Sequence, residues 1–197
     1  MANAAHSSAT VRDRPPARQL RIETASLKLS TLVPSDAPKL FQMSREEGMR
    51  TWLPSQVYRD EAHAAAVLDF LISQYSIPAD PRIGPYVLGV QLANADDLIG
   101  HVGFSPLGDA VEVGFAIELA HQRKGIATEA VRAACEWATD AFTIGTLLGV
   151  TSTQNRASQS VLARAGFARL KEEVMRFQGS EQRVVFFTFA RSTHRPD

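Results

Sequence analysis

One segment of the chain, from Glu112 to Ala130, constrains the fold more than any other because its periodicity changes once along its length. Apolar residues alternate with small or polar ones from Glu112 to Ile117, which predicts a β-strand. A short polar loop follows, and from Gly125 an apolar stripe with helical spacing runs to Phe142. The segment therefore predicts a strand that leads through a short loop directly into a long helix.

The loop and the first helical turn have the composition of an anion-binding site. The first amides of a helix have no internal acceptor, so their partial positive charges point beyond the helix end. Gly125 and Ala127 leave the backbone bare, and Arg123 and Lys124 add full charges. The segment lacks the glycine spacing of a Walker loop or of a dinucleotide-binding turn. We expect a cradle for a large anion such as a pyrophosphate, formed by Gln122, Arg123, Lys124, Gly125, Ile126, Ala127 and Thr128.

The rest of the pattern predicts a single α+β domain. A strand pair and two helices, over about 36–47 and 60–75, precede a three-stranded meander over 86–92, 98–104 and 110–117. The long helix, a strand over 147–152, a helix over 155–165 and two closing strands follow. Helices separate from a mostly antiparallel sheet define this class. Within the 197 residues we expect a disordered Arg-rich tail over 1–19, the domain over 20–191 and a short tail over 192–197.

A second motif opens the predicted helix after the strand 147–152. It reads Asn155-x-x-Ser158-x-x-Val161-Leu162-x-x-x-Gly166-Phe167, and the first motif reads Gln122-x-x-Gly125-x-Ala127. Together they resemble the two signatures of the GNAT family of N-acetyltransferases, in the expected order and with a helix and a strand between them. The form of the second motif is typical of the branch that acetylates the N-termini of ribosomal proteins. The resemblance covers about residues 20–190.

The resemblance implies that the chain binds acetyl-CoA and transfers the acetyl group directly to an amine, without an acyl-enzyme. It implies a mixed sheet that splays between the strands 111–117 and 147–152, with acetyl-CoA in the splay and its pyrophosphate on the cradle. The backbone of Phe115, Ala116 and Ile117 would pair with the pantetheine arm, and Asn155 would contact it. From the residues alone, those three strand residues indicate core, and Asn155 indicates a helix N-cap.

Direct acetyl transfer needs a neutral amine, a donor for the developing oxyanion and a proton for the departing thiolate. Glu112 is the candidate base, since it shares a strand face with Gly114 and Ala116 and so has room beside it. The alternative for Glu112, a solvated or salt-bridged strand residue, carries equal weight. Ser158 matches a serine proposed as the acid in the ribosomal-protein branch. The tyrosine that many family members use is absent, because that position is Leu162.

The acceptor amine is the least determined partner. The resemblance places an acceptor-site loop at Arg50 and Trp52, although a tryptophan before Leu53-Pro54 is also suited to pack helices on the sheet. A protein N-terminus and a small amine, such as an aminoglycoside, a polyamine or an amino acid, both stay open. So do two alternative functions, a non-catalytic coenzyme A-binding regulatory module and, with less support, a general nucleotide-binding domain.

Composition excludes several other classes. The formal net charge of +0 argues against a nucleic-acid binder, and no apolar run reaches the length of a membrane span. Cys135, the single cysteine, lies on the apolar stripe of the long helix and is expected to be a buried thiol. The five histidines show no metal spacing, so we expect no metal. These features predict a cytoplasmic protein, and either the closing hairpin or the long helix could support a homodimer.

Overall fold

The computed structural model describes residues 20–76 and 79–190, so the predicted tails over 1–19 and 192–197 lie outside the described residues. The strands are β1 (Arg21–Glu23), β2 (Leu27–Thr31), β3 (Tyr86–Leu92), β4 (Leu98–Leu107), β5 (Ala110–Ile117), β6 (Thr146–Ser152), β7 (Ala168–Phe177) and β8 (Ser180–Ala190). The α-helices are α1 (Ala37–Ser44), α2 (Glu47–Trp52), α3 (Glu61–Ser73), α4 (Ile126–Ala141) and α5 (Arg156–Ala165).

These strands form one sheet in the order β1-β2-β3-β4-β5-β6-β8-β7. Neighbouring strands pair antiparallel, with the exception of β5 and β6, which are parallel. Parallel neighbours need a long crossover, and α4 supplies it between β5 and β6. The predicted α+β class and the mostly antiparallel sheet are confirmed.

Helices cover both faces of the sheet because successive residues of a strand point to opposite faces. On one face, Leu88 of β3 belongs to the main core together with Val131 of α4 and Leu162 of α5. On the other face, Val87 packs against a smaller cluster that includes Leu40 of α1 and Leu68 of α3. Each face therefore has its own helices, α4 and α5 on the first and α1 and α3 on the second.

Helix α5 lies close to the sheet because β6 carries a glycine beneath it. A Cβ atom at Gly149 would stand 2.7 Å from Leu162 Cδ2, too close for any side chain. The helix begins at Asn155, whose Oδ1 accepts a hydrogen bond of 3.0 Å from the Ser158 amide, and ends at Gly166 with φ of 104°. The motif residues thus serve the fold in addition to any role in chemistry.

The region from residue 44 to residue 56 differs from the prediction. Helix α1 ends at Ser44 rather than near Glu47, and a separate helix, α2, follows it from Glu47 to Trp52. Only Met49 of α2 is buried. A helix with one buried residue has no apolar stripe, so its sequence shows almost no helical periodicity.

Strand β4 is longer than predicted, since it continues past Phe104 to Leu107. Its last pair with β3 joins Phe104 to Tyr86, whereas its pairing with β5 continues to Leu107. Pro106 therefore lies where β4 has a neighbour on one side only, and an edge of this kind tolerates a proline.

Candidate active site

The parallel strands β5 and β6 separate shortly after they meet. Their pairing extends only from Val111 opposite Leu147 to Val113 opposite Gly149. Beyond that point residues 114–117 of β5 pair with β4 alone, and residues 150–152 of β6 pair with β8 alone. The predicted splay of the sheet is confirmed. It leaves one backbone edge of each strand without a neighbouring strand. The amides and carbonyls of those edges can therefore bind a ligand.

Unpaired amides stand at the far end of this gap. None of the backbone amides of residues 123–128 donates a hydrogen bond to another described residue. Gly125 caps α4 with φ of 82°, and its Cβ position opens onto free space. Arg123 also has positive φ, at 61°, so the chain turns sharply just before the helix. The predicted cradle is thus a run of backbone donors at a helix N-terminus, a geometry that suits an anion.

The side chains of the cradle differ in what they bind. Gln122 Nε2 donates to the Ile117 carbonyl at 2.8 Å, and Lys124 Nζ donates to the Ala120 carbonyl at 2.9 Å. The first bond holds the loop on the end of β5, and the second lies within the loop itself. Arg123 is exposed and pairs with no described residue, so its guanidinium is the cation most available to an incoming anion.

Helices α1 and α2 anchor the start of the same loop. Lys39 of α1 forms an ion pair of 2.5 Å with Glu118, which follows β5 directly. The carboxylate of Glu46, which precedes α2, accepts from the Leu119 amide at 3.0 and 3.2 Å. These contacts connect the helices on the second face of the sheet to the segment that leads into the cradle.

Glu112 lies on the second face of β5, between Ser105 of β4 and Leu148 of β6 in the sheet register. Among the described residues none forms a hydrogen bond or an ion pair with its carboxylate. Burial raises the pKa of Glu112 to about 7. The carboxyl therefore changes its charge near neutral pH, which is the property that general base catalysis requires.

The start of α5 places Asn155 and Ser158 just beyond the carboxyl end of β6. Asn155 acts as the N-cap, as its residue type alone indicates, and no described contact tests its predicted role toward pantetheine. Ser158 is half-buried, and its hydroxyl bonds to no other described residue. Leu162 lies in the main core with a side chain only 1% exposed, so its position cannot supply an acid.

A cavity of about 240 Å³ opens on the second face of the sheet. Its lining comes mainly from α1, α3, the 55–58 segment, β3 and β4, and it includes Gly114 of β5. Gly114 is two residues from Glu112, and Ser105, another lining residue, stands opposite Glu112 in the register. The cavity thus extends toward the candidate base. Its lining comprises Leu32, Leu40, Ser55, Gln56, Tyr58, His63, Val67, Leu71, Pro85, Val87, His101, Gly103, Phe104, Ser105 and Gly114.

His101 of β4 is a cavity residue that sequence reasoning missed. Its Nε2 lies 3.1 Å from Gln56 Oε1, and its buried Nδ1 has no hydrogen-bond partner among the described residues. Because a glutamine Oε1 only accepts, Nε2 carries the ring proton. Burial lowers the pKa of His101 to about 4, so the ring is neutral at pH 7. The alternation of His101 with Gly103 and Ser105 can be read from the sequence. The sheet register that places His101 opposite Ala116 cannot be read from it.

Arg50 and Trp52 lie in the last turn of α2 rather than in a loop, and neither is among the residues that line the cavity. Arg50 is exposed and Trp52 is half-buried. Their predicted contact with the acceptor stays a prediction. The structure assigns the cavity wall beside them to Ser55, Gln56 and Tyr58, which follow α2.

Cys135 is fully buried on α4, as expected, and burial raises the pKa of its thiol. A thiol of this kind is not a nucleophile.

Among residues 20–76 and 79–190, no group of three or more His, Cys, Asp or Glu side chains could hold a metal ion. No helix within those ranges is both long enough and apolar enough to cross a membrane.

Comparison with known proteins gives the same fold. Residues 26–168 match the family model for the acetyltransferase (GNAT) domain. The chain is 24% identical to YoaA of Bacillus subtilis, described as an uncharacterized N-acetyltransferase, over 158 residues that cover 79% of this chain and 85% of that protein.

Two solved structures extend the comparison. One is a putative ribosomal-protein-serine acetyltransferase from Vibrio cholerae, at 20% identity and TM-score 0.71, which covers 89% of this chain and 99% of that one. The other is RimL, a ribosomal L7/L12 alpha-N-protein acetyltransferase in complex with coenzyme A, at 16% identity and TM-score 0.74, covering 87% and 98%. At such identities the likeness shows the fold, and it agrees with the predicted branch at that level.

Proposed function

The chain belongs to the GNAT acetyltransferase family, and from this premise we propose that it transfers an acetyl group from acetyl-CoA to a primary amine with Glu112 as the base. One observation carries the proposal. A carboxylate without a described partner stands on the strand that borders the gap, while unpaired amides stand where that strand's loop enters α4. The gap thus joins an anion site to a group that can accept a proton.

The residues present fit acetyl-CoA, whose contribution to the reaction is an acetyl thioester. The amides of residues 123–128 and the side chains of Arg123 and Lys124 would hold the pyrophosphate, since they offer donors and charge without competing partners. The free edge of β5 at Phe115, Ala116 and Ile117 would pair with the pantetheine arm. Asn155 would contact that arm at the other side of the gap.

Glu112 removes the proton from the acceptor ammonium, directly or through a water. An amine attacks only when it is neutral, and most primary amines are protonated at pH 7. A carboxylate with a raised pKa is a stronger base than an ordinary glutamate. Its place beside Gly114 leaves room for the amino group.

In this proposal Ser158 gives a proton to the departing thiolate and regains one from the nitrogen of the tetrahedral intermediate, which loses that proton as it becomes an amide. Because Asn155 Oδ1 accepts from the Ser158 amide, the hydroxyl is not used in capping the helix and stays available. A water can take the same role if the hydroxyl is removed. The effect expected on substitution is therefore smaller at Ser158 than at Glu112.

The acceptor is proposed to be a primary amine that enters from the second face of the sheet, through the cavity and near Arg50 and Trp52. RimL and the Vibrio cholerae protein are described as acetyltransferases of ribosomal proteins, which favours a protein N-terminus, while a small amine stays open. A cytoplasmic location and a homodimer stay predictions.

The direct test is thiol release from acetyl-CoA in the presence of a panel of primary amines, with coenzyme A affinity measured by calorimetry. We expect binding of acetyl-CoA and amine-dependent thiol release. Binding without release for any amine would contradict the proposal and would leave a non-catalytic coenzyme A-binding module. Equal affinity for ATP and acetyl-CoA would contradict the pantetheine contacts.

A further inference from the structure

Among the described residues, the lining of the cavity on the second face of the sheet offers a bound cation no carboxylate. None of the described residues that line it is Asp, Glu, Lys or Arg. The titratable groups in its lining are Tyr58, His63 and His101. Burial lowers the pKa of His101 and raises that of Tyr58, so both are neutral at pH 7. A cation bound inside would therefore lie in a low-dielectric space without an opposite charge.

The carboxylate of Glu112 lies at the edge of the cavity. Gly114 and Ser105 line the cavity and are neighbours of Glu112 in the sheet. An amine whose nitrogen is at Glu112 would direct the remainder of its structure into the cavity. The position of the base thus separates the reacting nitrogen from the substituent that accompanies it.

The walls that receive this substituent are mainly aliphatic, with Leu40, Val67, Leu71 and Val87 around the interior. Polar side chains lie on the 55–58 segment, α3 and β4, and among them Gln56 Oε1 lies 3.1 Å from His101 Nε2. The volume of about 240 Å³ is below the roughly 300–1,000 Å³ typical of pockets that bind drug-sized ligands. The space suits one compact side group rather than an oligosaccharide or a long polyamine.

We infer that this cavity is the acceptor pocket and that it selects primary amines bearing one compact apolar side group and no second cation. The inference rests on the proposed acetyl transfer and deepens it. Each methylene buried against aliphatic walls raises kcat/KM about fourfold. A second ammonium at the position of the apolar side group is excluded. The free energy lost in desolvating an unpaired ion exceeds the free energy gained from its contacts with the cavity walls.

The test compares amino-acid amides that differ only in the side group, with thiol release as the assay. Glycinamide, alaninamide and norleucinamide form an apolar series, lysinamide adds an ammonium to the norleucine chain, and spermidine represents polycations. We expect kcat/KM to rise at least tenfold from glycinamide to norleucinamide, and to fall at least tenfold from norleucinamide to lysinamide. Calorimetric titration of norleucinamide into the enzyme gives a binding readout independent of turnover.

A matched pair of variants locates the selection in the cavity. Val67→Phe fills the interior from α3, whereas Ala66→Phe places the same aromatic side chain on the exposed side of the same helix. We expect Val67→Phe to lower kcat/KM for norleucinamide at least tenfold more than it lowers kcat/KM for glycinamide. Ala66→Phe should leave both unchanged. Thermal melting of each variant shows whether the fold is retained. If Val67→Phe does not fold, the panel of amines measured with the wild-type enzyme still tests the inference.

The outcomes separate the two proposals. Thiol release that is greatest with spermidine or lysinamide would overturn the inference and leave acetyl transfer intact. Equal rates across the apolar series, or no selective effect of Val67→Phe in a folded protein, would also overturn it. Bound acetyl-CoA with no thiol release for any amine would overturn acetyl transfer itself, and the inference with it.

Discussion

The two sides of the gap between β5 and β6 are built in opposite ways. The cradle is a run of consecutive residues, 122–128, whose donors are backbone amides on an exposed helix end. The cavity on the second face brings together residues from α1, α3, the 55–58 segment and three strands, and none of its described lining residues is Asp, Glu, Lys or Arg. The donor side therefore depends on backbone geometry, and the acceptor side depends on the identity of side chains.

This difference predicts how substitutions act. A backbone site keeps its donors when side chains change, so its weak points are the residues whose dihedral angles only glycine adopts easily. A site of side chains loses one contact with each substitution, and its specificity changes before its stability does. Glu112 lies at the boundary, and its substitution separates binding from chemistry.

The largest effect is expected for Glu112→Gln, which removes the base while keeping size and polarity. We expect kcat to fall at least about 100-fold, since general base catalysis is typically worth 10²–10⁴. Coenzyme A affinity, measured by calorimetry, should stay within twofold because the cradle is unchanged. Retained turnover would remove Glu112 from the mechanism.

The pH profile of the wild-type enzyme sharpens the same prediction. Only the ionised carboxylate can accept a proton, and the pKa of Glu112 is raised to about 7. The rate constant kcat/KM should therefore be low at pH 5.5 and rise through pH 7. In Glu112→Gln this limb should disappear, whereas a limb that persists would belong to another group.

Ser158→Ala should have the next largest effect, with kcat about 10–100-fold lower and coenzyme A affinity unchanged. The hydroxyl is lost as a proton donor, but the N-cap bond to the Ser158 amide is retained in alanine. Ser160→Ala is the matched control, as an exposed serine on the same helix. Equal kinetics for the two variants would contradict the role of Ser158 as the acid.

Gly125→Ala tests the backbone side of the comparison. Its Cβ would meet no atom, so the cost comes from φ of 82°, which is worth roughly 1–2 kcal/mol for a residue with a side chain. We expect coenzyme A affinity to fall about tenfold. Gly108→Ala, also at positive φ and in open space, is the control, and it should lower thermal stability without a change in affinity.

The smallest effect is expected for Arg123→Ala. An exposed cation contributes about 0.2–1 kcal/mol to an ion pair, so the dissociation constant for coenzyme A should rise about two- to fivefold. The loss should shrink at high salt, because screening weakens the wild-type contact. Arg176→Ala, an exposed arginine on β7, should change neither value. A loss as large as that of Gly125→Ala would show that the cradle depends on charge more than on backbone.

Much of the fold could be predicted from the sequence where local pattern and local structure coincide. The strands over 86–92 and 110–117 lie as predicted, and α4 occupies the predicted 125–142 helix between its caps. Helix α2 could not be predicted, since only Met49 of its six residues is buried. Tertiary contacts hold this region in place, for example the hydrogen bonds that the Glu46 carboxylate accepts from the Leu119 amide. Sequence periodicity does not predict contacts of this kind.

The candidate site divides in the same way. Gln122, Gly125 and Ala127 could be recognised because a cradle of backbone amides occupies one continuous segment. Glu112 could be named as a candidate, with a solvated or salt-bridged strand residue as the equal alternative, and its role as the base stays a prediction. The structure adds that burial raises the pKa of its carboxyl to about 7. His101 and Gln56 were missed, because they lie 45 residues apart in the chain and come together only when the turn at Pro54–Gln56 packs on β4.

The sequence by itself determined the order of the strands, the N-cap at Asn155 and the glycine-containing loop that leads into α4. Each of these depends on residues within one turn or one strand of each other, where local energetics decide. Only the tertiary structure decided which side chains share the second face of the sheet with Glu112. Cross-strand register and helix packing set that environment, and with it the lining of the cavity and the raised pKa of Glu112. Desolvation is a property of the packed surroundings, so no stretch of sequence contains it.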